Sequence, residues 1–327
     1  MNLKHRIDVL ILAAAQNGRI PFIPIKCTSF INSKLLESLT IILNSDNNIN
    51  DNTAIENLSP SEKCLYDLSM NALHRLASAA QDHGIGLLLD AEQSHRQPAI
   101  EHFARILSQH YNLPGRKAII YNTYQMYLKR SLQALKRDLN HANEYGYILA
   151  IKLVRGAYMY SEKERALSLH VDSPVLESKE IVDRNYNDSI SMLLQRISDN
   201  NDDNNDDNNN DNNNNNNNNN TNNTNHNNTN KTKVINAPIV MIASHNRQSI
   251  THALEEMTKL NIISSNKHVH FAQIMGMCDH ITCLLGFHKY NVSKLICFGK
   301  FEELMPWLLR RFQENQVCSC MHMLVFM

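Results

Sequence analysis

YILAIKLV at residues 147–154, running on into Arg155-Gly156-Ala157-Tyr158, is the stretch that decides the architecture. It is an apolar run that delivers a cation and then two small residues into a turn, the pattern of a buried strand ending at a loop. Six further runs share that character: FIPIK (22–26), GLLLD (86–90), AIIYN (118–122), PIVMIA (238–243), VHFAQI (269–274) and KLICF (294–298). Between them apolar residues recur at helical spacing. Leu65, Leu68, Ala72, Leu76 and Ala79 mark a helix over 60–83, opened by Ser59-Pro60-Ser61-Glu62 as a cap and Pro start. Further helices are expected over 96–110, 123–144, 178–197, 248–260 and 301–314. Alternating strands and helices imply parallel strands with helical crossovers, an α/β fold. Closed, this is a (β/α)8 TIM-type barrel; open, it is a doubly wound sheet. An eighth strand could lie in the poorly patterned 171–177.

The ends of the runs favour the barrel. Lys26, Asp90, Asn122 with Gln125, Lys152 with Arg155, and Ser244-His245-Asn246 all fall where an apolar run turns into its loop. In a parallel barrel that C-terminal rim is where ligands bind.

Composition bounds the rest. The chain has 327 residues, is 43% hydrophobic, and its 32 Lys and Arg balance 32 Asp and Glu. That is enough to bury a core, and the zero net charge argues against a nucleic-acid binder working through bulk positive field. No run reaches the roughly 18–20 apolar residues of a membrane-spanning helix. Seven cysteines, an odd number without a framework of spacings, fit a reduced compartment. Residues 198–232 are almost entirely Asn, Asp and Thr. They hold nothing to bury against an ordering cost of roughly 1–2 kcal/mol per residue, so a disordered surface insertion is expected. NSDNNINDN at 44–52 reads the same way. The barrel is therefore expected over 1–315, with that insertion, and 316–327 as an irregular tail. The N-terminal MNLKHRIDVLILAAAQNGR reads as an amphipathic helix leading into the first strand, because Asp8 interrupts its apolar run.

Several groups of residues could carry chemistry. Gly156 and Ala157 let backbone approach a flat group closely, with Tyr158 placed to pack a ring. Arg310 and Arg311, adjacent on the last helix, point about 100° apart. Spacing alone reads first as a solvated basic face, but at an overhanging helix end the pair would suit a carboxylate or phosphate. Glu314 lies one turn on from Arg310, and Pro306 removes a backbone donor from the same helix. In Asp90-Ala91-Glu92, a strand-end carboxylate needs cations, for which Lys26 and the two arginines qualify. His245 suits a metal, an acid/base step, a flavin edge or a structural bond. Cys278-Asp279-His280 lacks zinc spacing, and Cys318-Ser319-Cys320-Met321-His322 reads as fortuitous, so no metal site is expected. There is no G-x-G-x-x-G and no Walker loop.

Six stretches in order, DAEQS, YNTYQMYLKR, KLVRGAYM, ASHN, FAQIMGMCDH and LLRRFQEN, resemble the proline dehydrogenase family in its eukaryotic mitochondrial branch. The match runs from about Phe22 to Asn315, and DAEQS followed by Gln97-Pro98 looks more like the proline enzyme than its hydroxyproline-oxidising relative. The resemblance implies a (β/α)8 barrel holding FAD on its C-terminal rim, with a final helix covering the active site. It implies oxidation of L-proline to 1-pyrroline-5-carboxylate, with hydride passing to flavin N5 and electrons to quinone, at the mitochondrial inner membrane or its matrix side. Arg310, Arg311 and Lys26 would bind the substrate carboxylate. Tyr158 and Leu153 would pack on its ring, and Asp90 would orient the cations. Asn122, Lys152, Val154, Arg155, Gly156, Ala157, Ser244, His245, Gln273 and Glu314 would surround the flavin, Lys152 or Arg155 supplying the cation for its reduced form. Thr282 stands where bacterial members carry Tyr, which leaves more room. The ending QVCSCMHMLVFM, the short arm before the first strand and the lack of a clear presequence depart from the family. Two other readings remain: a relative acting on hydroxyproline, and a truncated, silent barrel whose Asn tract makes it an interaction protein.

Overall fold

The computed structural model describes residues 20–45, 51–209, 236–297 and 301–314; for 201–209, 303, 307 and 310–314 it describes the backbone alone. The expected N-terminal helix, most of the Asn tract and the tail with Cys318, Cys320 and His322 lie outside the described residues.

Seven strands form one sheet in chain order: β1 (Phe22–Lys26), β2 (Gly86–Asp90), β3 (Ile120–Gln125), β4 (Ala150–Val154), β5 (Ile239–Ala243), β6 (Val269–Ile274) and β7 (Val292–Leu295). Every pairing is parallel. The helices are α1 (Ser33–Ser45), α2 (Asp51–Glu56), α3 (Pro60–Asp82), α4 (Gln97–Tyr111), α5 (Ser131–Tyr145), α6 (Met159–Leu169), α7 (Lys179–Asn209), α8 (Arg247–Lys259), α9 (Asp279–Phe287) and α10 (Phe301–Glu314). The architecture is α/β of TIM-barrel type.

Strand alternation sorts the side chains into two layers. Leu87, Leu89 and Ile120 face α1, α3 and α4, packing with Leu36, Leu76, Ile100 and Phe103. Ile151, Leu153, Ile242 and Phe271 face the second half of the helical layer, with Leu135, Ile190, Leu193 and Ala253. On the opposite face Leu88, Tyr121, Ala150 and Met241 pack with Phe22, Ile239 and Ala272 into a small apolar floor. The floor also shows the curl. The Phe22 ring on β1 stands edge-on to Tyr121 at 5.3 Å and to His270 on β6 at 5.5 Å. Gly86 leaves room for that ring, because a Cβ there would lie 2.6 Å from Phe22 Cδ1.

Local chemistry sets several helix ends. Ser59 and Glu62 form a reciprocal capping box at the start of α3, as the sequence leads one to expect. Asn246 caps α8 through Ser249 N, and Gly146 ends α5 at φ 72°.

Other expectations are corrected. The run at 118–122 pairs as 120–125, so the helix expected from 123 begins at Ser131. Residues 171–177 form no barrel strand; Val175 makes one antiparallel bridge to Leu128. The polar 44–52 stretch ends in the start of α2, where Asp51 is tied to Arg105 and His102. Helix α7 continues to Asn209, well into the Asn/Asp-rich segment, and Ser198 Oγ donates to Leu260 O at 3.2 Å.

Candidate active site

Above the apolar floor, the inward positions turn polar. Lys26 and Asp90 are register partners at the ends of β1 and β2, and Thr123 and Lys152 are partners on β3 and β4. Lys152 Nζ reaches past β3 to Asp90 Oδ1 at 2.7 Å, both side chains largely shielded. Lys26 is exposed, and among the described residues it makes no hydrogen bond or ion pair. Lys152 is thus paired with Asp90, while the exposed Lys26 stands beside that carboxylate in register, its side chain unpaired among the described residues. The buried Thr123 Oγ1 has no hydrogen-bond partner. Cys27, fully buried behind this layer, has its thiol pushed far above the usual range by burial and by the charges of Glu92 and Asp90, so it is no nucleophile.

The loops above the strands are bonded to one another. Glu92 Oε1 accepts from Thr28 N at 3.1 Å and Thr28 Oγ1 at 2.9 Å. Gln125 donates to Glu92 O at 2.8 Å and accepts from Ala157 N at 3.3 Å. Gly156 sits at φ 141°, and a Cβ there would overlap the Tyr127 ring, so conformation and space both demand glycine. Tyr158 stands half-buried at the head of α6.

The structure sorts the residues singled out from sequence. Lys26, Asp90, Lys152 and Val154 share the inward face. Gly156, Ala157 and Tyr158 follow directly on the same rim. Leu153 does not join them: alternation turns it outward into the helical core, fully buried, so it cannot pack on a ring in the barrel. Asn122 is likewise turned outward, between Leu89 and Ile151 in register, because β3 continues beyond it. Arg155 is consumed internally. It donates to Asp183, Ser244 Oγ and Ser249 Oγ at 2.7–3.0 Å, and its guanidinium lies 4.5 Å over the Tyr186 ring. It ties β4 to α7, α8 and the end of β5. Ser244 thus serves Arg155 and also caps its own turn through Asn246 N.

His245 Nε2 accepts from Ile274 N at 2.9 Å, which places the ring proton on Nδ1 and leaves the ring neutral. Burial, then Lys294, hold its pKa below the usual value. Gln273 faces α9 rather than the interior, donating to Ser244 O and accepting from Thr282 Oγ1. Arg310, Arg311 and Glu314 lie on α10, but their side chains are outside the described residues. No cluster of His, Cys, Asp or Glu among the described residues could hold a metal ion.

Sequence reasoning missed two contributors, Thr123 and Glu162, and read Gln125 only as a polar residue at the rim. Thr123 and Gln125 face inward only because β3 runs to Gln125; period-two alternation from Tyr121 carried that signal. Glu162 has no local signal, since its partner is Ser94 in the loop after β2.

The sequence profile of the family described as Proline dehydrogenase matches residues 28–322. The chain belongs to the proline dehydrogenase family. It is 32% identical over 265 residues to Proline dehydrogenase 1, mitochondrial, of Drosophila melanogaster, covering 80% of this chain and 34% of that protein. It is 28% identical over 323 residues to Hydroxyproline dehydrogenase of Xenopus laevis, covering 95% and 61%. The chain spans about a third to three-fifths of the length of these relatives. Among solved structures, proline utilization A (PutA) from Bdellovibrio bacteriovorus superposes with a TM-score of 0.69 at 16% identity, over 96% of this chain and 28% of that one. That likeness bears on the fold.

Proposed function

We propose that this proline dehydrogenase family member oxidises L-proline to 1-pyrroline-5-carboxylate with FAD as cofactor. The observation that carries the reading is the mouth layer, where Lys152 is paired with Asp90 and Lys26 lies beside it in register, in a chain whose relatives include proteins named proline dehydrogenase. Lys26, with Arg310 and Arg311, holds the substrate carboxylate, as the family resemblance implies. Asp90 fixes Lys152 so that a cation stays at a set place inside a shielded layer, where charge acts more strongly than in water. Tyr158 packs against the pyrrolidine ring and keeps water off it.

The unpartnered Thr123 hydroxyl and the Lys152 cation fit an anion-forming cofactor. Lys152, Val154, Gly156, Ala157, Ser244, His245 and Glu314 border it. FAD, when bound, supplies the two-electron acceptor chemistry that no side chain provides. Lys152, not Arg155, is the cation on its side, because the donors of Arg155 are already engaged. Leu153 and Asn122 have no part.

The compartment is the mitochondrion, as the names of relatives support, and the electron acceptor beyond the flavin is a quinone, as the family resemblance implies. No described helix is long and apolar enough to cross a membrane. A second reading, oxidation of hydroxyproline, is favoured by the identity to Hydroxyproline dehydrogenase across nearly the whole chain. The test is the visible spectrum of the purified protein and its dye reduction with each imino acid. A flavin spectrum bleached by L-proline at lower concentration than by hydroxyproline is expected. A colourless protein that refuses added FAD removes the proposal; the reverse preference replaces the substrate.

A further inference from the structure

We infer that Glu162 is a positioning residue that couples the two walls of the pocket, the loop carrying Asp90 and the turn carrying Tyr158. This rests on reading the barrel mouth as the substrate site. Glu162 lies in the first turn of α6 and is 2% exposed. Its Oε1 accepts from Ser94 N and its Oε2 from Ser94 Oγ, both at 2.6 Å. Its own N–H donates to Tyr158 O at 2.9 Å. One residue is thus bonded both to the loop four positions beyond Asp90 and to the residue set against the ring.

A buried carboxylate is costly unless its oxygens are engaged, and here both are, by charge-assisted bonds. Its place in the first turn of a helix adds a favourable field. The flanks of the Asp90 loop are held independently. Thr28 secures Glu92, and Arg96 is paired with Glu37 through Nε at 2.9 Å and Nη2 at 2.7 Å. Ser94 is where that loop meets α6. Gln125 makes a second, neutral bridge lower down, from Glu92 O to Ala157 N. Glu162 therefore acts on substrate through Asp90 and Tyr158 without touching it.

The mild variant is Ser94→Ala, which removes one of the two bonds and leaves the carboxylate in place; Ser94→Thr keeps the hydroxyl. Amide exchange is followed by mass spectrometry over 90–97 and 156–161, together with KM and kcat for L-proline. With that bond lost, exchange across 156–161, a wall without the substitution, should quicken about tenfold. KM should rise by a similar factor with kcat within about twofold, and Ser94→Thr should restore both. Faster exchange confined to 90–97 with wild-type KM would overturn the coupling, since a merely structural bond loosens only its own loop. If the unmodified chain fails to reduce dye with proline, the functional reading falls while the exchange still decides the coupling.

Discussion

Two regions of this molecule bury charge, and they do so differently. Behind the barrel, between α2, α4 and α5, three carboxylates meet three guanidiniums. Arg105 binds Asp51 and Asp138, Arg130 binds Glu101 at 2.7 and 2.8 Å, and Arg137 joins Glu101 to Asp138. Tyr124 adds a bond to Asp138, and His102 links Asp51 to Tyr66. At the mouth, Lys26 and Lys152 face Asp90 alone within their layer. A matched network has nothing left to offer a ligand and acts on stability. A layer with cations in excess of its carboxylate is suited to an incoming anion.

The comparison can be broken from either side. The largest effect is expected for Arg105→Met, which strands Asp51 and Asp138 without their cation and should cost about 3–5 kcal/mol in denaturant unfolding. Wild-type KM in the protein that still folds would accompany it. The same network sets an acid limit. Burial pushes the Glu101 carboxyl up, but Arg130 and Arg137 more than offset it and hold its pKa at about 2, against a usual 4.5. A carboxyl depressed on folding contributes stability above its unfolded pKa and loses it as pH falls through the folded one. Denaturant midpoints should therefore drop between about pH 4.5 and 2, and Arg130→Gln should shrink that drop. A flat profile would separate Glu101 from the network.

At the mouth the signs reverse. Lys152→Met should lower kcat/KM about a hundredfold while moving the unfolding midpoint far less than Arg105→Met. Equal losses of stability in the two variants would erase the distinction between the regions. Gly156→Ala forces a side chain into the Tyr127 ring at a left-handed φ and should cost about 1–3 kcal/mol, read by thermal unfolding. The smallest change is Ser59→Ala at the α3 cap, about 1 kcal/mol with KM untouched, since the cap lies in neither region.

Much of the barrel was legible because parallel strands buried on both faces read as apolar runs; each of the seven runs overlaps a strand, the last only at Lys294 and Leu295 because β7 spans Val292–Leu295. Boundaries slipped where a strand kept pairing through polar residues, as in Asn122-Thr123-Tyr124-Gln125. Helices α1, α2, α6 and α9 went unread. The first is crowded with β-branched residues, the second begins inside the polar 44–52 stretch, and the other two follow glycine-containing turns. Of the site, Lys26, Asp90 and Lys152 were readable as polar ends of apolar runs. Leu153 and Arg155 were misplaced because a linear motif does not say which face each residue takes.

The order of strands and helices, the position of the rim and the family were settled by the chain's own pattern, since burial on both faces of a strand and capping chemistry act over a few residues. Which side chains meet was decided only when the sheet curled. Lys152 finds Asp90, and Glu162 finds Ser94, across 62 and 68 residues of chain. Contacts of that span depend on strand register and curvature, which no short stretch of sequence contains.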